Sequence, residues 1–208
     1  MITPSDGENY HLAMEESMRK AKTLGADLIS VSSHKVHGPK GAGALYISPR
    51  LKSFPPLLYG GGQENGMRSG TEATPAIFGS GAACAAVSAT FRQDISREKE
   101  MLNILVDKLN QLDGVVINGS HEAPHILSVA IPGIPVQNIL NILQDAEILV
   151  SAGSACAKGH RSHTLAAMEL KPEIIDSTFR ISICRETTEE SLDFLVETIA
   201  RDILPRIR

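Results

Sequence analysis

Residues from Pro75 to about Leu112 read as one long helix, and the two ends of that helix make different demands on the fold. The first part is rich in Ala and Gly (Gly79, Gly81, Ala82, Ala83, Ala85, Ala86), which permits close packing against a sheet or another helix. The second part, Glu98 to Leu112, is amphipathic, with Leu102, Leu105, Val106 and Leu109 on one stripe. A helix of this kind serves two parts of a molecule, and the boundary between them falls near residue 95.

Ahead of the helix, apolar runs predict strands at about 27–32 and 43–48, and a weak helix through Leu12–Met18 stopped by Gly25. A loop rich in Pro and Gly runs from Pro49 to Thr74, and loops of that length are uncommon unless functional. Beyond Gly114, strands are expected at 114–118, 126–131, 148–151 and 179–184, and helices at 135–145, 162–169 and 188–203. Thr187 with Glu190 reads as a capping box ahead of the last helix. Alternating elements of this kind give an α/β class, with a sheet covered by helices.

The 208 residues suffice for one large domain or two small ones, and 42% hydrophobic with 21% charged residues is ordinary for a globular protein. A net charge of −4 without a basic block points away from a nucleic-acid or anionic-membrane partner. No uninterrupted apolar stretch approaches the ~20 residues of a bilayer span. The N-terminus lacks the basic and apolar regions of a signal peptide. Three widely spaced cysteines (Cys84, Cys156, Cys184) argue against a disulfide framework and fit a reducing cytoplasm.

Lys35 lies in Ser32-Ser33-His34-Lys35, after the apolar run 27–31 and before Gly38-Pro39-Lys40-Gly41-Ala42-Gly43. A lysine at a strand end beside hydroxyl and imidazole groups is placed for Schiff-base chemistry; the plainer reading is a solvated lysine at a turn. Cys156 follows the small-residue stretch Ser151-Ala152-Gly153-Ser154-Ala155, which lets a loop move. A thiolate nucleophile needs a base or cation nearby, and His160, Arg161 and His163 are close in sequence; the alternative is an inert thiol. Cys156, His160 and His163 also have short metal-ligand spacing, but a fourth ligand is not evident and no metal is expected. Arg180 heads the 179–184 strand, and its guanidinium suits a carboxylate. Cys84 reads as a packing residue, and Cys184, at the end of the 179–184 strand, as structural.

Four stretches in order carry a family resemblance: Ser32–Tyr46, Gly60–Glu72 (with Gly66-Met67-Arg68-Ser69-Gly70-Thr71), Ser151–Cys156, and Phe179–Ser182 followed by Thr187–Glu190. Across roughly residues 20 to 204 the chain resembles the cysteine desulfurases of the nitrogen-fixation and iron–sulfur-assembly type, class V aminotransferase-fold enzymes. The resemblance implies the C-terminal portion of a PLP-dependent transferase (aspartate aminotransferase-like) fold. Residues 1–94 would be a partial cofactor-binding large domain and 95–208 a complete small α/β domain. It implies pyridoxal 5'-phosphate as cofactor, bound as a Schiff base by Lys35, with Ser32 and His34 as neighbours of its phosphate or ring. Thr71 would reach the phosphate bound by a partner subunit, hence a homodimer. Arg180 would hold the substrate α-carboxylate. Cys156 would take sulfur from L-cysteine as a persulfide, leaving L-alanine, and pass it to an acceptor such as an iron–sulfur scaffold protein.

Family members carry further cofactor groups upstream of the lysine: a Gly/Thr-rich phosphate turn, a ring-stacking histidine and an Asp-x-x-Gln segment. These motifs do not occur between Met1 and Lys35. A remnant large domain should expose apolar surface where further strands would pair. The rival expectations are a non-catalytic docking module for a sulfur-accepting partner, or a related activity such as selenocysteine lyase or kynureninase.

Overall fold

The computed structural model describes residues 25–120, 123–152 and 161–207. The helix expected near residues 12–18 and the cysteine at 156 lie outside them. The chain divides into two compact units, 1–91 and 92–208.

In the first unit, β1 (Leu28–Ser32) and β2 (Gly43–Ile47) form an antiparallel pair. The register sets Leu28 against Ile47, Ser30 against Leu45 and Ser32 against Gly43. Side chains alternate between faces along a strand. One face therefore carries Leu28, Leu45 and Ile47, and the other Ile29, Val31 and Tyr46. Gly43 is required at its position: a Cβ there would come within 2.5 Å of the Val31 carbonyl oxygen. The chain between the strands opens with a single 3-10 turn, Ser33–Val36.

Helix α1 spans Thr74–Leu109 and runs through the division between the units. By length and composition alone its apolar first half passes for a membrane span, which corrects the expectation that no stretch would. Its small residues serve a different purpose within the first unit. A Cβ on Gly79 would sit 2.6 Å from Pro39 Cγ, and Ala83 lies against Gly38. The Ser80 and Ser33 hydroxyls are hydrogen-bonded at 2.8 Å. Small residues thus let the helix approach the turn after β1.

The second unit has the apolar core. Among the described residues, every buried hydrophobic side chain lies between Met101 and Ile203. Strands β3 (Val116–Asn118), β4 (Ile126–Ala130) and β5 (Thr178–Ser182) form an antiparallel sheet in that order. Leu127, Val129, Phe179 and Ile181 point to its buried face. They cluster with Leu102, Leu105 and Leu109 of α1, Ile139 and Leu143 of α2 (Val136–Asp145), and Leu192 and Leu195 of α5 (Glu189–Thr198). Between α2 and β5 lie two short helices, α3 (His163–Ala167) and α4 (Pro172–Asp176). A π turn, Ile199–Ile203, continues α5 and buries both of its terminal isoleucines. Polar ties hold α1 to α5: Lys108 pairs with Glu189 and Asp193. The Arg97 guanidinium donates to the Arg185 and Thr187 carbonyls.

Two local expectations are corrected. The strand expected at 148–151 reduces to one bridge, Ser151 to Arg180, because the chain reaches β5 only at its last residue. The capping box sits one residue later than expected: Thr188 and Ser191 cap α5. Thr187 Oγ1 instead accepts from the Cys184 amide and closes the turn before the helix.

Candidate functional site

The turn after β1 is built from its buried serine outward. Ser33 is 3% exposed, its amide donates to the Ala42 carbonyl, and its own carbonyl accepts from the Gly38 amide. These bonds close the turn and leave its other side chains facing out. Ser32, His34 and Lys35 are all exposed, and the Lys35 amine makes no ion pair among the described residues. His37 closes the turn at φ 64, a left-handed conformation that a non-glycine residue adopts at a cost. Gly38 admits no side chain, since a Cβ would lie 2.1 Å from Ser33 Oγ. Sequence reasoning found Ser32, His34 and Lys35 but missed Ser33, Ser80 and Gly38, which hold them in place. Ser33 opens the 3-10 turn just past the end of β1, where no strand periodicity reaches it, so the sequence offered no signal for its burial.

Thr71 lies on a loop that organises itself. Leu58 bridges Arg68, Ser69 Oγ donates to the Gly61 carbonyl at 2.8 Å, and the Gly70 amide donates to Gln63 Oε1. Glu64 and Asn65 take left-handed conformations within it. Helix α1 begins at Thr74, and the Ala76 and Ile77 amides bond the Ala73 carbonyl. Thr71 is therefore ahead of the capping position, exposed, and without a hydrogen bond among the described residues.

In the second unit, Arg180 occupies the middle of β5. Its backbone pairs with Ser128 of β4 on one side and with Ser151 on the other, where its amide donates to the Ser151 carbonyl at 2.7 Å. Phe179 and Ile181 turn into the core, so the Arg180 side chain emerges on the opposite face. The guanidinium is exposed and has no ion-pair partner among the described residues, as a carboxylate-binding group requires. Asn118, Ser128 and Arg180 share one row across the sheet. Asn118 is 7% exposed, and its Nδ2 donates to Ser128 Oγ and to Thr178 Oγ1. Thr178 donates its own proton to the Ile174 carbonyl at 2.6 Å, which fixes the direction of the amide. Asn118 Oδ1 then remains buried without a donor among the described residues.

Cys156 and His160 lie outside the described residues. The described chain on either side of them is anchored near β5. Ser151 is bonded to Arg180, and Arg161 grips Asp176, at the end of α4, through two bonds of 2.7 and 2.5 Å. The hydrogen bond from Arg161, assisted by its charge, holds the Asp176 carboxyl below its ordinary range. Arg161 is thus committed to a structural pair. His163 is exposed at the start of α3, which Ser162 caps. Among the described residues no three His, Cys, Asp or Glu side chains are grouped to hold a metal.

These placements bear comparison with known proteins. The class-V aminotransferase family profile matches residues 13–195, beginning earlier than the stretch legible by eye. A cysteine desulfurase IscS of Shewanella sp. (strain ANA-3) is 36% identical over 96% of this chain and 51% of its own. The same-named protein of Escherichia coli O139:H28 (strain E24377A / ETEC) is 35% identical over 93% of this chain and 50% of its own. A solved NifS-like protein from Rickettsia africae has a TM-score of 0.77 and 31% identity, covering 86% of this chain and 48% of that one. The chain spans about half the length of the curated relatives it matches. It belongs to the class-V aminotransferase family.

Proposed function

We propose that this chain carries the lysine, the substrate-binding arginine and the sulfur-accepting cysteine of a cysteine desulfurase that uses pyridoxal 5'-phosphate. The observation that carries the reading is the turn Ser32–Val36. It presents an exposed lysine, without an ion pair among the described residues, on the same short turn as Ser32 and His34, on a backbone locked by buried Ser33. That donor set fits the cofactor: an amine for its aldehyde, Ser32 and His34 as donors to its phosphate or ring, and Thr71 as a donor to the phosphate bound by the partner subunit. When bound, the cofactor supplies an electron sink for bond cleavage at the substrate α- and β-carbons.

The residues of the chain orient and receive. Arg180 holds the α-carboxylate of L-cysteine, bidentate in the manner of a guanidinium. Lys35, once its amine is free, is the group that carries protons at the α-carbon. The Cys156 thiolate attacks the substrate sulfur: an S–S bond forms, the Cβ–S bond breaks, and its electron pair stays with carbon and is protonated. L-Alanine leaves and Cys156 holds a persulfide, a reversible state from which an iron–sulfur scaffold protein could draw sulfur. No external oxidant is consumed. The reading includes a homodimer with Thr71 serving the partner's site, and a reducing cytoplasm, consistent with the unpaired Cys84 and Cys184.

The second unit, with a core of its own, supports a second reading as a sulfur-carrying docking module. The test is a visible spectrum with added cofactor and sulfide release from L-cysteine. An absorbing species lost in Lys35→Ala, and turnover lost in both Lys35→Ala and Cys156→Ser, are expected. Persulfide on Cys156 that survives Lys35→Ala would favour the docking module.

A further inference from the structure

Arg180 shares its face of the sheet with the polar side chains of Asn118, Ser128 and Thr178. Ser128 sits directly opposite Arg180 in the β4–β5 register, and Asn118 opposite Ser128 in the β3–β4 register. Directly opposed residues hold their Cβ atoms about 4.5–5.5 Å apart. Leu127 and Val129 point into the core, so Ser128 emerges beside Arg180 on the other face, half-buried.

These groups form a relay with a direction. Thr178 gives its only hydroxyl proton to the Ile174 carbonyl at 2.6 Å. Its oxygen is then left to accept, and it accepts from Asn118 Nδ2 at 3.1 Å. Asn118 Nδ2 also donates to Ser128 Oγ at 3.3 Å. Ser128 is thereby an acceptor on its inner side, and its own proton meets no acceptor among the described residues. An amide placed for stability alone would use both of its ends. Asn118 is 7% exposed and leaves Oδ1 without a donor among the described residues, an arrangement that costs free energy.

We infer that Ser128 is a second donor to the carboxylate held by Arg180, and that Asn118 is the positioning residue that turns the Ser128 proton outward. The inference deepens the proposed function, since it rests on Arg180 binding the substrate carboxylate. A bidentate guanidinium takes one lone pair from each carboxylate oxygen and leaves the others open. A hydroxyl on the adjacent strand and the same face is placed to fill one of them.

Propionate, a carboxylate with neither amine nor thiol, is titrated into the full chain and followed by NMR. Arg180 Nε–H and the Asn118 side-chain amide protons should shift with one midpoint. Asn118 is buried and does not touch the ligand, so its shift reports the bond made by Ser128, and a serine that merely packs would not move it. Ser128→Ala should weaken binding about tenfold, as loss of one hydrogen bond to a charged group does, and abolish the Asn118 shift. Ser128→Thr keeps the hydroxyl and should bind within about twofold of the parent. Thr178→Val frees the Asn118 amide to turn its oxygen toward Ser128 and draw that proton inward, and should also weaken binding about tenfold without touching the ligand. Unchanged exchange protection of the β4 and β5 amides shows that the variants are folded. An Arg180 shift without an Asn118 shift overturns the proposal alone, and so does parent affinity in Ser128→Ala. No saturable shift at Arg180 overturns its carboxylate role and this proposal with it.

Discussion

At the scale of single residues, the molecule depends on groups that do no chemistry. Gly38 is one. A methyl group there would collide with Ser33 Oγ and crowd the Ser33 carbonyl at 3.1 Å, so the turn bearing Lys35 would have to open. Gly38→Ala should destabilise the first unit by about 1–3 kcal/mol, the usual cost of overpacking, read as faster exchange of the β1 and β2 amides. Asp176 is another. Its folded carboxyl is held below its ordinary range, chiefly by the hydrogen bond from Arg161. A depressed carboxylate contributes stability that is present above its unfolded pKa and lost as pH falls through the folded value. The parent and Asp176→Asn should therefore differ in thermal stability near neutral pH and converge in acid. Both partners are exposed, which keeps the difference small.

Elements differ in how plainly the sequence announced them. The helix at 74–109 was legible because its apolar stripe repeats over many turns, and β1 and β2, though not their pairing, because each short apolar run is bounded by turn residues. The residues 148–150 were misread because a short apolar run has no periodicity to separate a strand from a coil that docks on one. The capping box was displaced because two threonines stand side by side, and Arg97 holds Thr187 by its carbonyl. Helix α4 was missed although Pro172 and Glu173 are ordinary first-turn residues, its five residues being too few for a pattern. The candidate site was legible as residue types at strand ends, and its supports were not, since Ser33 and Ser80 meet 47 positions apart. The cap can be tested directly. Thr188→Ala should cost the second unit about 1 kcal/mol, as the loss of a side-chain cap does, in a denaturant midpoint. Thr187→Ala should leave the cap of α5 intact and alter the exchange of the Cys184 amide instead.

At the scale of the whole molecule, stability is unevenly divided. Phe179 is fully buried in the core of the second unit, and Phe179→Ala should cost about 3–5 kcal/mol there. The β1–β2 amides should be unmoved, because the hairpin has no share in that core. The same unevenness sets how the protein ages. Asn-Gly sequences lose ammonia when the glycine amide attacks the asparagine side chain, and the chain has two: Asn65-Gly66 and Asn118-Gly119. Asn65 is exposed on the loop before Thr71. Asn118 is locked by Ser128 and Thr178, and its side chain cannot swing toward the next amide without breaking the sheet's polar row. On prolonged incubation, peptide mapping should find deamidation at Asn65 first. Asn118 should follow only at the rate at which the second unit opens, and an aspartate formed there would carry a charge that the closed sheet cannot readmit. Asn118 is thus a chemical clock for unfolding, and each tick is irreversible.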